Sequence, residues 1–223
     1  MNPFRILVAD DHDVVRQGIK AVLETRADWE VCGEARDGMQ AVAMAKQLKP
    51  DMVLMDICMP NLNGLEATRE ILENDAEQKV LVVTIIDSEQ VVRAVLESGA
   101  RGFVLKSDAA RDLVAAIDAL ERKNTFFTPR VAQMILEGFL NPGQRRSQTQ
   151  ADTSLTRRER QIVQLLAEGK STKEVATILV LSVKTVETHR ANIMRKLKVH
   201  SLVELVLYAV KNNIVMVHTF NSA

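Results

Sequence analysis

The chain has 223 residues, 47% hydrophobic and 26% charged, with 29 basic and 29 acidic side chains, which suits a soluble protein of one large or two small domains. No apolar run is long enough to span a bilayer, and no charged N-terminus leads into a long apolar stretch, so neither a membrane span nor a signal peptide is expected. The charge is divided unevenly: residues 1–124 carry 22 acids and 15 bases, residues 125–152 two and three, and residues 153–223 five and 11. An acidic front and a basic rear predict two domains with different partners, the rear one a candidate for nucleic acid. Cys32 and Cys58 have no metal-ligand spacing and are expected as reduced thiols of a cytoplasmic protein.

Residues 4–121 alternate short apolar runs with helical patterns. The runs are "FRILVA", "WEVCGE", "DMVLMD", "KVLVVT" and "GFVL". Val14, Ile19, Val22 and Leu23 carry the first helical spacing, and Leu113, Ala116, Ile117 and Leu120 the last. Five such alternations predict an α/β fold: a five-stranded parallel sheet with helices on both faces. Asp13 is placed to cap the helix from Val14, and His12 is read as a solvated loop residue. Residues 129–140 form one more helix, with Pro129 in its first turn. The polar, Pro- and Gly-containing stretch 141–152 reads as a flexible linker. From Leu155 onward the pattern is helical with short loops. Thr156 with Glu159, and Ser171 with Glu174, are capping-box signatures; Ser182 and Ser201 open two further helices.

In an open parallel sheet, ligands gather beyond the carboxyl ends of the strands. Asp10 and Asp11 end the first strand, Asp56 the third and Thr84 the fourth, and Lys106 follows the fifth. Three carboxylates, a hydroxyl and an ammonium on one crevice call for a hard divalent cation, and Mg2+ suits oxygen ligands and phosphate. In such a site Asp56 can act as a nucleophile toward phosphorus, with Thr84 donating to the phosphoryl oxygens and Lys106 pairing with them.

In the rear half, "VKTVETHRANIMRKLK" puts Val186, Ile193 and Leu197 on one face of a helix. Lys184, Thr188, Ala191 and Arg195 form the opposite stripe. A helix with one packed face and one partly basic face fits a major groove. The preceding "TKEVATIL" and the turn "VLS" complete a helix-turn-helix, with Ala176 small where the helices approach.

The segments "LVADDHD", "MDICMPNLNG", "VVT" and "GFVLK", in that order and spacing, resemble the receiver domain of bacterial two-component response regulators. The rear half resembles the LuxR-type DNA-binding domain over residues 155–210. Together the chain resembles a NarL/FixJ-type response regulator. That resemblance implies a flavodoxin-like receiver over 1–124, a helix and flexible linker over 125–152, and a small all-α helix-turn-helix domain over 153–217. It implies Asp56 as phosphoacceptor and Asp10, Asp11, Asp56 and the Cys58 main-chain carbonyl as Mg2+ ligands. Thr84 and Lys106 become the pair that senses the phosphoryl group, and Phe103 the switch aromatic. Glu187, Thr188 and Ala191 become base-edge contacts. Lys170, Thr172, Lys184, Arg190, Arg195 and Lys196 become phosphate contacts. The implied partners are a sensor histidine kinase, double-stranded promoter DNA and a second copy of the chain. Implied activity beyond self-phosphorylation and self-dephosphorylation is nil.

Three residues depart from the family pattern. Ile85 is bulky where a small residue usually gives the phosphoryl group access. Val180 stands where turn-tolerant residues are common, so a positive φ there would strain it. Lys198 replaces a common glycine after the recognition helix. Two other readings stay open from sequence: a Mg2+-dependent phosphatase working through an aspartyl phosphate, and a DNA-binding protein whose front half only dimerises.

Overall fold

The computed structural model describes residues 3–140 and 155–215, without the side chains of 137–140. The expected linker at 141–152 lies outside the described residues. Residues 3–140 and 155–215 belong to two separate compact units.

The first unit is a parallel sheet in the order β2-β1-β3-β4-β5-β6. Its strands are β1 (Phe4–Ala9), β2 (Trp29–Ala35), β3 (Met52–Met55), β4 (Lys79–Thr84), β5 (Gly102–Leu105) and β6 (Phe126–Phe127). The five apolar runs form the first five strands; β6 adds two residues beside Gly102 and Phe103. A two-residue strand is too short to show a period of two in sequence. Around the sheet lie α1 (Asp13–Leu23), α2 (Gly38–Leu48), α3 (Gly64–Asn74), α4 (Glu89–Glu97), α5 (Ala109–Glu121) and α6 (Pro129–Leu140).

Alternation along the strands fills both faces. Ile6, Val8, Met52, Leu54, Leu81, Val83 and Val104 pack with Ile19 and Leu23 of α1 and with Leu113, Ile117 and Leu120 of α5. The intervening Leu7, Val53, Met55, Val80, Val82 and Phe103 point to the other face and are equally buried. Polar side chains set the helix starts. Asp37, Asn63 and Ser88 each accept a backbone N–H of the first turn of α2, α3 and α4. Asp13 does not cap α1; it lies inside the first turn, where its charge favours the helix N-terminus, and His12 holds the cap position without its side chain accepting a first-turn N–H. Val14 is 84% exposed rather than core-facing, because helical geometry puts it on the opposite side of α1 from the buried Leu23. α6 packs on α4, and Arg130 Nη2 lies 2.5 Å from Asp87 Oδ2 in the β4–α4 loop.

The register brings the strand ends together. Ala9 pairs with Met55, Met55 with Val82, and Thr84 with Leu105. The next residues, Asp10, Asp56 and Lys106, therefore leave the sheet side by side.

The second unit is all helical: α7 (Arg157–Ala167), α8 (Thr172–Ile178), α9 (Val183–Leu197) and α10 (Leu202–Lys211). Both capping boxes form, at Thr156 with Glu159 and at Ser171 with Glu174, and Ser182 and Ser201 cap α9 and α10. Ile162, Val163, Leu166, Val175, Ala176, Val186, Ile193, Leu205 and Ala209 make one core. Gly169 closes α7 with φ +83°, which glycine adopts freely. Val180, in the turn between α8 and α9, takes φ +53° and is 90% exposed, and Lys198 ends α9 at φ +55°. The strain expected from the valine is therefore present.

Candidate functional site

Asp10 and Asp56 are each 1% exposed, and their carboxylates share one cation: Lys106 Nζ lies 2.7 Å from Asp10 Oδ2 and 2.8 Å from Asp56 Oδ2. Backbone amides hold the other oxygens. Asp10 Oδ1 accepts from the His12 N–H at 2.9 Å and Asp56 Oδ1 from the Ile57 N–H at 2.8 Å. The Cys58 amide also donates to the Asp56 carboxylate. Gly64 lets α3 approach this point: a Cβ there would lie 1.9 Å from the Asp56 carbonyl oxygen.

Burial pushes the Asp56 carboxyl above its usual range, with Lys106 opposing the rise and Asp10 adding to it. Burial also works against the Lys106 ammonium, but Asp56 and Asp10 outweigh it and hold Lys106 above its ordinary value. The Cys58 thiol, pushed up to about 12 by burial first and by Asp56 second, stays protonated and unreactive. It is hydrogen-bonded to the side chain of Thr84, which is fully buried. Phe103 is likewise fully buried, and Ile85, next to Thr84, is more than half exposed.

The sequence-predicted Asp10, Asp11 and Asp56 thus come together, and His12 joins them while remaining the exposed loop residue expected. One ligand atom from each of the four lies within 4.8 Å of the others, and His12 Nδ1 is 2.7 Å from Asp11 Oδ1. The only signal in sequence was its place inside "DDHD". Arg16 is the second residue missed. It is 3% exposed, and its Nη1 donates to the Asp10 carbonyl at 2.7 Å.

The donor set fits a hard divalent cation. It is mostly carboxylate oxygen, the two most buried acids have a single ammonium between them, and Asp11 Oδ1 is shielded from solvent. Mg2+ is the cofactor this crevice takes.

On the second unit, Lys184, Glu187, Thr188, Ala191 and Arg195 are all exposed on α9, opposite the buried Val186 and Ile193. Arg190 is half-buried. Lys170 and Thr172 flank the cap of α8. Lys196 donates to Glu159 Oε2 at 2.8 Å and so ties the end of α9 to the start of α7.

A parallel sheet with a cation-binding acidic crevice at its carboxyl edge, followed by a helix-turn-helix with a polar, basic face, defines a phosphorylation-switched DNA-binding regulator. Residues 6–118 match the response regulator receiver domain, and residues 153–209 match the bacterial regulatory proteins of the luxR family. The chain belongs to the NarL/FixJ-type two-component response regulators. It is 37% identical over 211 residues to the transcriptional regulatory protein LiaR of Bacillus subtilis, covering 95% of this chain and 99% of that one. It is 38% identical over 213 residues to the oxygen regulatory protein NreC of Staphylococcus carnosus, with 94% and 98% covered. Among solved structures, a LuxR-family response regulator from Aurantimonas is similar with TM-score 0.59 and 34% identity, over 62% of this chain and 99% of that one. The response regulator RcsB in complex with DNA is similar with TM-score 0.58 and 26% identity, over 94% and 99%. Among the described residues no helix is long and apolar enough to cross a membrane.

Proposed function

We propose that Asp56 accepts a phosphoryl group from the phosphohistidine of a sensor kinase in the cytoplasm, and that residues 153–217 carry the result to promoter DNA. The observation that carries this reading is the Asp56 carboxylate, buried and held by Lys106 and the Ile57 amide at the sheet edge. One Asp56 oxygen attacks phosphorus, the phosphorus–nitrogen bond breaks, and the imidazole leaves with its electron pair. Asp10, Asp11, Asp56 and the Cys58 carbonyl would hold Mg2+, which would offset the repulsion between phosphoryl oxygens and carboxylates. Lys106 pairs with a phosphoryl oxygen and the Thr84 hydroxyl donates to another, exchanging its bond to Cys58. Phe103, packed beneath the sheet edge, responds to the position of Thr84. The ligand shifts an existing equilibrium between two arrangements.

Residues 1–124 act as the receiver and 125–152 as the connection. Glu187, Thr188 and Ala191 read base edges, while Lys170, Thr172, Lys184, Arg190, Arg195 and Lys196 meet phosphates, Lys196 by leaving Glu159. RcsB has been solved as two dimers bound to two parallel DNAs, and a dimer of this chain would meet two half-sites in the same symmetric sense. The test uses the full chain with phosphoramidate and Mg2+, followed by mobility shift on a randomised DNA pool. Phosphorylation at Asp56 with tighter DNA binding is expected. Labelling of Asp56→Asn at another aspartate, or equal DNA affinity with and without donor, would overturn the proposal.

A further inference from the structure

We propose that Arg16 is a positioning residue for the cation site, a role that rests on the reading of the acidic crevice as that site. Arg16 lies one turn into α1, behind the crevice rather than in it. Its guanidinium is buried, and each arm is committed. Nη1 donates to the Asp10 main-chain oxygen at 2.7 Å, Nε to Glu34 Oε2 at 3.2 Å, and Nη2 pairs with Asp13 Oδ1. These partners come from the end of β1, from β2 and from the first turn of α1, so a single planar group fixes three elements around Asp10.

Its difference from Lys106 is chemical. Lys106 sits on the carboxylate oxygens of Asp10 and Asp56, the atoms a metal ion needs. Arg16 takes the main-chain oxygen of Asp10 and leaves the carboxylate free. The Asp10 carboxylate is then held from its own backbone side, by the Arg16 bond to the carbonyl and by the His12 amide on Oδ1. Glu34 and Asp13 neutralise the guanidinium, so it adds little net positive charge to the crevice.

Two roles predict opposite signs. As a plain positive charge near the site, Arg16 repels a divalent cation, and its removal tightens metal binding. As a positioning residue it holds Asp10 in place, and its removal weakens binding although no ligand is lost. The second effect dominates, because the guanidinium charge is already paired while the bond to Asp10 has no substitute in a methionine.

The experiment is Mg2+ titration of the full chain by calorimetry at pH 7.5, for wild type, Arg16→Met, Arg16→Lys and Glu34→Gln. Arg16→Met is expected to weaken Mg2+ at least tenfold. Arg16→Lys, which keeps charge and one donor, is expected to recover part of that loss, and Glu34→Gln to lose two- to fivefold. Ile19→Ala, which destabilises α1 from its core side without touching Asp10, is the control and is expected to keep wild-type affinity. Unchanged or tighter Mg2+ binding by Arg16→Met overturns the proposal, and so does weakening by Ile19→Ala to the same degree. If Arg16→Met does not fold, Arg16→Lys and Glu34→Gln decide, and wild-type affinity in both overturns it. A wild-type chain that binds no Mg2+ would instead refute the cation site itself.

Discussion

Replacing Val180 by asparagine should stabilise the helix-turn-helix unit. Val180 sits in the left-handed region at φ +53° with its side chain 90% exposed, so it carries the strain of a β-branched residue and gains almost no burial. That conformation costs an L-residue roughly 1–2 kcal/mol, and asparagine tolerates it far better. The turn's bonds, Val180 N–H to Thr177 O at 3.3 Å and Leu181 N–H to Ala176 O at 2.9 Å, involve only the backbone and survive the change. The expected gain is about 1 kcal/mol, or about 4–8 °C in the midpoint of a unit this size. Glycine should gain less, because about 0.5–1 kcal/mol is lost to the freer unfolded chain. Calorimetry on the full chain measures the shift. The single tryptophan, Trp29, is in the first unit, and its fluorescence midpoint should not move, providing an internal control. A midpoint of the second unit that is unchanged or lower in Val180→Asn would refute the reasoning.

Without metal, Asp56→Asn should stabilise the first unit by on the order of 1 kcal/mol, because one buried ammonium then serves one buried carboxylate. Lys106→Met should destabilise it by about 3–5 kcal/mol by leaving two carboxylates face to face; urea unfolding at pH 7 measures both. Gly64→Ala should displace the Asp56 backbone and cost about 1–3 kcal/mol by overpacking, with Mg2+ affinity falling in the same calorimetric titration. In the second unit, burial opposes ionisation of Glu159, but Lys196 and Thr156 outweigh it and lower its carboxyl, while Ser171 lowers that of Glu174. A lowered folded value contributes stability above the unfolded value, about 4.3, that disappears as pH falls through the folded one. The midpoint should therefore drop in acid below that range, and less steeply in Glu159→Gln; parallel pH profiles would contradict this.

Strands buried on both faces announce themselves as unbroken apolar runs, which is why β1, β3, β4 and β5 were legible. The strand-end acids were legible too, because register places Asp10 and Asp56 wherever β1 and β3 pair. Val14 was misread because an apolar residue in the same helix need not share its buried face, and Val14 lies across the helix from Leu23. Arg16 was missed because a charged residue reads as surface until its partners are known, and Glu34 arrives from a strand 18 residues away. Val180 was the opposite case. A family's habit of placing tolerant residues in that turn flagged the position, and the structure supplied the positive φ.

The small strand β6 and the helix after it have a practical consequence for anyone excising the first unit. A fragment stopped at residue 124 would bare the hydrogen-bonding groups of β5 along one margin and strip the cover from α4. An open parallel margin of that kind is a template for intermolecular pairing. Fragments carried through residue 140 should remain monodisperse at concentrations where the shorter ones precipitate.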